Sequence, residues 1–157
     1  MIRYSIGSSG QVLVLTDSVV THFKKHRQRF CIKAEAGGQL FACFKEPEIR
    51  IEVATGPRPT DKRGRTYYRP DRRAERKEII YYHKRGLHYV GDWHTHPSRI
   101  PKPSPTDLSN IRDCFLRSSH TLAAFVIIII GTARAPKGFR VSLHDGYVEY
   151  ILSPGYN

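Results

Sequence analysis

The chain has 157 residues, which is enough for one domain with a buried core. Its 39% apolar and 25% charged residues exclude a wholly disordered chain. Lysine and arginine number 26 against 14 acidic residues, so the formal net charge is +12. Taken alone, this charge favours a protein that binds nucleic acid or an acidic partner.

The cysteines and the apolar segments indicate the cellular setting. Cys31, Cys43 and Cys114 contain no Cys-x-x-Cys pair, so neither a disulfide framework nor a cysteine zinc knuckle is indicated. The first residues carry no apolar signal segment. The longest apolar run, residues 122–130, is about half of the ~20 residues that a helix needs to span a bilayer. We therefore expect a cytoplasmic protein that does not cross a membrane.

The first half of the chain predicts one helix among four short strands. The strands are residues 3–6, 11–15, 39–45 and 49–54. Thr16 and Asp17 begin the helix, which runs to about residue 29 with four apolar residues near helical spacing: Val19, Val20, Phe23 and Phe30. Residues 57–70 contain many turn-forming residues and no period, which indicates a long loop or an insertion.

The second half alternates helices and strands. Asp71 is suited to cap a helix that runs to Lys84, and a further helix is predicted at about residues 106–117. The strands are residues 87–96, 121–130, 139–143 and 147–152. Residues 121–130 are so continuously apolar and β-branched that they predict a central strand covered on both faces. This order predicts a single α/β domain over residues 1–157, with a mixed sheet flanked by helices.

The stretch from residue 91 to residue 107 carries the clearest chemistry. His94 and His96 are two residues apart on a predicted strand, so both rings project from one face. Zinc accepts nitrogen and carboxylate ligands, and catalytic zinc sites use three protein ligands and leave the fourth position to water. Asp107 is the natural third ligand, because it lies on the first turn of the next helix after a stiff, proline-rich loop.

The same residues also have a purely structural interpretation. Alternate histidines on a strand are commonly surface or core residues that bind no metal. Ser104-Pro105-Thr106-Asp107 is a good capping box, with serine before the helix and an acid three residues later. Capping accounts for Ser104 and Asp107 as helix-starting residues, but it does not account for their position so soon after two histidines. The two interpretations are compatible, since one acid can both cap and coordinate.

The spacing of these residues resembles a known family. The JAMM metallopeptidases, also called MPN-plus or JAB proteins, share the motif His-(Ser/Thr)-His-x7-Ser-x2-Asp, which is matched here by His94, Thr95, His96, Ser104 and Asp107. The family also has an upstream segment resembling Glu-x-x-Gly-x-Leu, and residues 35–40 fit it. The resemblance implies a JAB/MPN-like fold of cytidine deaminase-like architecture, which is an α/β (α+β) fold, and a Zn2+ cofactor.

The resemblance also implies a role for each motif residue. His94, His96 and Asp107 would hold zinc and leave a water as the fourth ligand. Glu35, which is not itself a ligand, would accept the proton of that water and pass it to the leaving amine. Ser104 would donate a hydrogen bond to the oxyanion of the reaction intermediate. Without the family, Glu35 would be taken for an exposed acid beside a glycine turn.

Some residues depart from the family or from related folds. Gly91-Asp92-Trp93 precedes the first histidine, where the family often has Gly-Trp-Tyr or Gly-Trp-Trp. Asp92 shares the face of the two histidines by alternation, so it is either a hydrogen-bond partner of a ligand imidazole or a solvated acid. Thr95 argues against the RadC type, which carries Asn between its histidines. A deaminase is excluded because the chain has no His-x-Glu and no Pro-Cys-x-x-Cys segment.

The family suggests a class of substrate. Its members cut isopeptide or peptide bonds after the C-terminal glycine of ubiquitin or ubiquitin-like proteins. Residues 89–97 look like the same segment of small bacterial JAB proteins. Among these are the deconjugating peptidases of CBASS antiphage operons, which act on conjugates of a cGAS-like nucleotidyltransferase. The resemblance therefore implies a protein substrate with a glycine-ended C-terminal tail, or its conjugate.

The basic insertion and helix at residues 57–87 leave a second class of function open. They hold 11 basic and four acidic residues, which is +7 of the total charge. In the family, an insertion here can pair with the extended tail of the substrate, and Tyr67 and Tyr68 would shape the groove. The charge is alternatively that of a solvated surface. A nucleic-acid-binding module with a structural or vestigial metal site is the alternative function, with paired tyrosines as stacking elements; such a module would not need Glu35.

Overall fold

The computed structural model describes residues 1–29 and 32–155, and these residues form a mixed sheet of eight strands. In chain order the sheet contains β1 (Ile2–Ser5), β2 (Val12–Leu15), β3 (Gly37–Lys45), β4 (Glu48–Ala54), β7 (His88–Thr95), β8 (Phe125–Ile130), β9 (Phe139–His144) and β10 (Glu149–Ile151). A separate two-stranded hairpin contains β5 (Lys62–Arg63) and β6 (Tyr68–Arg69). The helices are α1 (Asp17–His26), α2 (Arg72–His83) and α3 (Pro105–Arg117).

The order of strands across the sheet is β1-β2-β4-β3-β7-β8-β9-β10. The pairs β2–β4 and β7–β8 are parallel, and the other neighbours are antiparallel. A parallel pair needs a crossover connection, and α3 lies in the crossover from β7 to β8. This crossover returns the chain past the carboxyl end of β7, where the two histidines lie.

Helices cover both faces of the sheet. Phe23 of α1 packs against Trp93 on one face, with ring centroids 5.0 Å apart. On the other face, Ile111 of α3 packs in a cluster with residues of β8, and Tyr82 of α2 packs against Phe41, with centroids 4.4 Å apart. All six residues of β8 are buried, so the prediction of a strand covered on both faces is confirmed. The mixed α/β fold is confirmed as well.

Several element boundaries differ from the prediction. Helix α1 ends at His26, three residues early, and Phe30, predicted on that helix, lies outside the described residues. Strand β8 begins at Phe125 rather than at residue 121. Cys43 and Cys114 are free, as expected, and Cys31 lies outside the described residues. No helix in the described part of the chain is long and apolar enough to cross a membrane.

Residues 57–70 are more ordered than the predicted loop. The Arg58 guanidinium is buried, with Nε donating to Glu78 of α2 over 2.7 Å. Asp61, whose side chain is fully buried, accepts hydrogen bonds from the backbone N–H of Arg58 at 2.7 Å and of Asp71 at 2.8 Å. The Tyr68 hydroxyl donates to Asp61 at 3.0 Å. Buried polar contacts therefore hold the hairpin against α2. Such contacts leave no periodic pattern in the sequence, so the sequence predicted only a loop or an insertion here.

Candidate metal centre

Two histidines and one aspartate converge at the end of β7. His94 lies on β7 and His96 just beyond it, where the backbone N–H of His96 still donates to Ile130 O at 3.0 Å. The Nε2 atoms of His94 and His96 are 3.2 Å apart. Oδ2 of Asp107, on the first turn of α3, lies 3.3 Å from each of them. The structure thus brings the three predicted ligands together.

The spacing of these atoms fits a zinc ion. Zinc bonds imidazole nitrogen and carboxylate oxygen at about 2.0–2.1 Å, so tetrahedral ligands lie about 3.3 Å from one another. The observed separations of 3.2, 3.3 and 3.3 Å agree with that value. Within residues 1–29 and 32–155, no other group of three or more His, Cys, Asp or Glu side chains converges in this way.

The capping box orients the aspartate. Ser104 Oγ accepts the backbone N–H of Asp107 at 3.1 Å, and Asp107 Oδ2 accepts the backbone N–H of Ser104 at 2.7 Å. Burial alone would raise the pKa of Asp107, but hydrogen bonds from His94, His96 and the Ser104 backbone hold it well below its ordinary value. The carboxylate is therefore ionised and aimed at the histidines, and capping and convergence occur together, as the sequence allowed.

Glu35 lies two residues before β3 begins and is only 7% exposed. It lines the same cleft as His94 and His96. Burial raises the pKa of its carboxyl to about 7; His96 opposes this shift and Asp107 adds to it. A carboxyl with a pKa near neutrality is well suited to accept and release a proton. The alternative of an exposed acid beside a glycine turn is therefore wrong.

Two contacts that the sequence analysis missed fix the backbone around Glu35. The buried Thr95 hydroxyl accepts the backbone N–H of Ala36 at 2.9 Å, while the backbone N–H of Thr95 donates to Ala36 O at 2.8 Å. The backbone N–H of Glu35 donates to Gly64 O, in the β5–β6 hairpin, at 2.7 Å. The sequence did carry a signal for the contact between Thr95 and Ala36, namely a hydroxyl residue at an inward-facing strand position between two candidate ligands. It carried no signal for the contact between Glu35 and Gly64.

A close backbone approach explains the glycine of the Glu-x-x-Gly segment. A Cβ atom on Gly38 would lie 1.9 Å from Thr55 O, so no larger residue fits without moving the backbone. The indole N–H of Trp93 donates to the same carbonyl at 2.8 Å. Together these contacts hold the start of β3 and the histidine strand β7 against the end of β4.

The metal centre opens into a cleft of about 610 Å³. The N-terminus of α3 lines it together with the insertion, which contributes both predicted tyrosines, Tyr67 and Tyr68. The Tyr68 ring lies over Gly37, where an added Cβ would come within 2.7 Å of it. Arg69 and Arg72 line the cleft beside them. The basic insertion therefore borders the cleft that contains the candidate ligands.

Asp92 matches neither of its two predicted environments. It forms no hydrogen bond with His94 or His96 in the described structure, and its Oδ1 atom is buried without a hydrogen-bond partner there. Burial and, to a smaller extent, the nearby Glu75 carboxyl raise the pKa of Asp92 to about 7. Asp92 therefore lies half-buried in the wall of the cleft beside Glu75, and it is neither bonded to the histidines nor a freely solvated acid.

Comparison with known proteins places the chain in a family. Residues 16–143 match the model for prokaryotic homologues of the JAB domain. The chain belongs to this family.

Four relatives that match the chain carry the name CD-NTase/cGAS isopeptidase. The chain is 34% identical over 108 residues to the one from Enterobacter hormaechei, a match that covers 64% of this chain and 59% of that protein. It is 32% identical over 114 residues to the one from Pseudomonas aeruginosa, which covers 69% and 71%. The match thus spans less than two thirds of the Enterobacter relative.

Solved structures support the fold. A protein of Desulfitobacterium hafniense aligns with a TM-score of 0.60 at 18% identity, covering 91% of this chain and 89% of that one. A protein of Salinibacter ruber aligns with a TM-score of 0.53 at 21% identity, covering 88% and 87%. At these identities the likeness extends to the fold alone.

Proposed function

We propose that this protein is a zinc-dependent deconjugating isopeptidase and that residues 1–157 act as one peptidase domain. The convergence of His94, His96 and Asp107 at the spacing of zinc ligands, in one cleft with Glu35, carries this proposal. Zinc bound by these three side chains supplies Lewis acidity, which polarises a carbonyl and acidifies water.

The chain's own residues complete the chemistry. Glu35, in its ionised form, accepts a proton from the attacking water and delivers it to the leaving amine. Ser104 uses an oxygen lone pair for the helix cap, so its hydroxyl hydrogen is free to point at the oxyanion of the substrate. Such a donor contributes roughly 3 kcal/mol to stabilising the transition state.

The names of the relatives suggest the substrate. We propose that the scissile bond follows the C-terminal glycine of a protein conjugated in the manner of ubiquitin, and that cleavage reverses the conjugation of a cGAS-like nucleotidyltransferase in antiphage defence. An extended tail can add to a strand edge through backbone hydrogen bonds. Strand β6 borders the cleft and is suited to that contact. Glycine residues in the tail, which have no side chain, would fit beside the Tyr68 ring.

The test combines metal analysis with cleavage of a glycine-ended conjugate. We expect about one zinc per chain in the wild type, and Glu35→Gln should keep the zinc but lose turnover by about 10²-fold or more. Asp107→Ala should lose both zinc and turnover, and a chelator should abolish wild-type cleavage until zinc is restored. Full turnover by Glu35→Gln, or a folded protein that takes up no zinc, would overturn the proposal.

A further inference from the structure

The acidic side chains of residues 57–87 are all engaged in contacts within the protein. Asp61 and Glu78 both pair with the buried Arg58. Glu75 is 6% exposed and pairs with Arg72 at 2.9 Å. These three carboxylates therefore contribute little negative charge to the surface of the segment.

The fourth acid, Asp71, is used in the same way. Its Oδ1 accepts the backbone N–H groups of Arg73 and Ala74 and so caps α2. By contrast, ten of the 11 basic residues of the segment are exposed, and nine of these ten, all but Arg72, form no ion pair within the described residues. The outer surface of the insertion and α2 therefore carries charge of a single sign, more strongly than the net value of +7 suggests. We call these nine exposed cations the basic surface.

Three exposed cations form a stripe along α2 and the residue that caps its C-terminus, Lys84. Arg73, Lys77 and Lys84 are four and then seven residues apart, so they lie along one side of the helix. Ile80 lies on the same side and is 52% exposed. The opposite side of α2 carries Glu75 and Tyr82, which face the body of the protein. The stripe therefore combines positive charge with one uncovered aliphatic side chain.

This combination fits a protein partner better than nucleic acid. Contacts to phosphates need cations and gain nothing from an aliphatic side chain between them. Protein interfaces usually place apolar side chains inside a polar rim. The basic surface is also continuous with the cleft, because Arg69, one of its nine cations, lines the cleft together with Glu35 and His94.

We propose that the basic surface docks an acidic face of the protein whose conjugate is cleaved; this inference rests on the proposed function and names the chemistry of its partner. Arg69 lines the cleft, and α2, which carries the stripe, begins three residues later at Arg72. Opposite charges then raise the association rate and lower KM, while the reacting atoms, and hence kcat, are unaffected.

Two quenched peptides test the charge preference. Both peptides carry the same glycine-ended cleavage sequence followed by a flexible linker. In one peptide the linker ends in a block of glutamates, and in the other it ends in a block of serines. With the zinc-loaded wild type, KM should be about three- to tenfold lower for the glutamate peptide, at equal kcat. High salt should remove the difference, since a Debye length of about 3 Å at 1 M screens exposed charges.

Paired variants locate the effect. Arg73→Glu/Lys77→Glu should lose the preference for the glutamate peptide and cleave the serine peptide with wild-type kinetics. Lys24→Glu/Lys25→Glu, at exposed positions of α1 on the other face of the sheet, changes the net charge equally and should keep the preference. Thermal unfolding of both variants checks that they are folded.

Other results would overturn the inference. These are equal KM values of the wild type for the two peptides, or an unchanged preference in the α2 variant. Tight binding of a short DNA duplex that the α2 variant loses, with no discrimination between the peptides, would assign the surface to nucleic acid instead. If the wild type cleaves neither peptide, the proposed isopeptidase function fails, and fluorescence anisotropy of the intact peptides still decides whether the surface prefers the acidic one.

Discussion

In the proposed mechanism, Ser104 would combine a structural and a chemical role in one hydroxyl group. Its oxygen accepts the Asp107 backbone N–H at 3.1 Å, which starts α3 and places a candidate zinc ligand. The same oxygen carries a hydrogen that the cap does not use. Capping and oxyanion stabilisation are therefore separable by substitution, because they use different parts of the hydroxyl group.

Glycine at position 104 should separate the two roles. Glycine is tolerated at an N-cap at a cost of a few tenths of a kcal/mol, whereas alanine costs about 1 kcal/mol. We expect Ser104→Gly to keep near-wild-type stability and zinc content but to lose kcat by about 10²-fold, as for other oxyanion donors. Steady-state kinetics and thermal unfolding measure the two effects. Wild-type kcat in Ser104→Gly would leave capping as the only role.

At the scale of elements, the register between β3 and β7 connects the candidate metal ligands to Glu35. Gly37 lies opposite His94, and the next contact along is the pair of bonds between Thr95 and Ala36. Glu35 therefore takes its position from the strand that carries the histidines. The β5–β6 hairpin holds the other side through Gly64 O.

Thr95→Val should weaken this connection without removing a ligand or changing the volume of the side chain greatly. The Ala36 N–H would then be buried without a partner, at a cost of about 1–3 kcal/mol. We expect bound zinc to be retained and kcat to fall about tenfold at little change in KM, since Glu35 is less well placed. Thr95→Ser keeps the hydroxyl and should restore kcat. Equal kcat in Thr95→Val and the wild type would show that Glu35 is positioned by other contacts.

For the whole molecule, the buried carboxyl of Glu75 in the wall of the cleft links stability to pH. Burial raises the pKa of Glu75, and Arg72 only partly opposes this. The pKa of Glu75 is near 4.5 in the unfolded chain and higher in the folded protein. At a pH between these two values, Glu75 holds a proton in the folded protein that it has released in the unfolded chain. Stability contributed by this group is therefore present at low pH and is lost as the pH rises through that window.

Glu75→Gln should remove this pH dependence. The melting temperature of the variant minus that of the wild type should increase from pH 4.5 to pH 8. The reason is that only the wild type must ionise the buried Glu75 carboxyl as the pH rises. Glu46→Gln, at an exposed position, controls for the loss of one negative charge. Melting curves of the three proteins across this pH range make the measurement. A Glu75→Gln difference that is constant with pH, or that falls as pH rises, would contradict the assignment.

Local rules account for what the sequence determined. The strands β3, β4 and β8 follow from apolar and β-branched runs, and the capping box at Ser104 and Asp107 follows from residues three apart. The motif spacing selected the three residues that converge in the cleft. Each of these inferences depends on neighbours in the chain or on a fixed sequence spacing, so no tertiary contact was needed to make it.

Tertiary contacts decided the rest. The β5–β6 hairpin depends on Arg58 reaching Glu78, twenty residues later, and Glu35 depends on Thr95, sixty residues later. The half-buried position of Asp92 in the cleft wall depends on elements that pack around it. The net charge was evident from composition, but only the fold shows that four carboxylates of one segment are engaged in internal contacts while nine exposed cations have no ion-pair partner among the described residues. Composition fixes the amount of charge, and packing fixes which charges a partner meets.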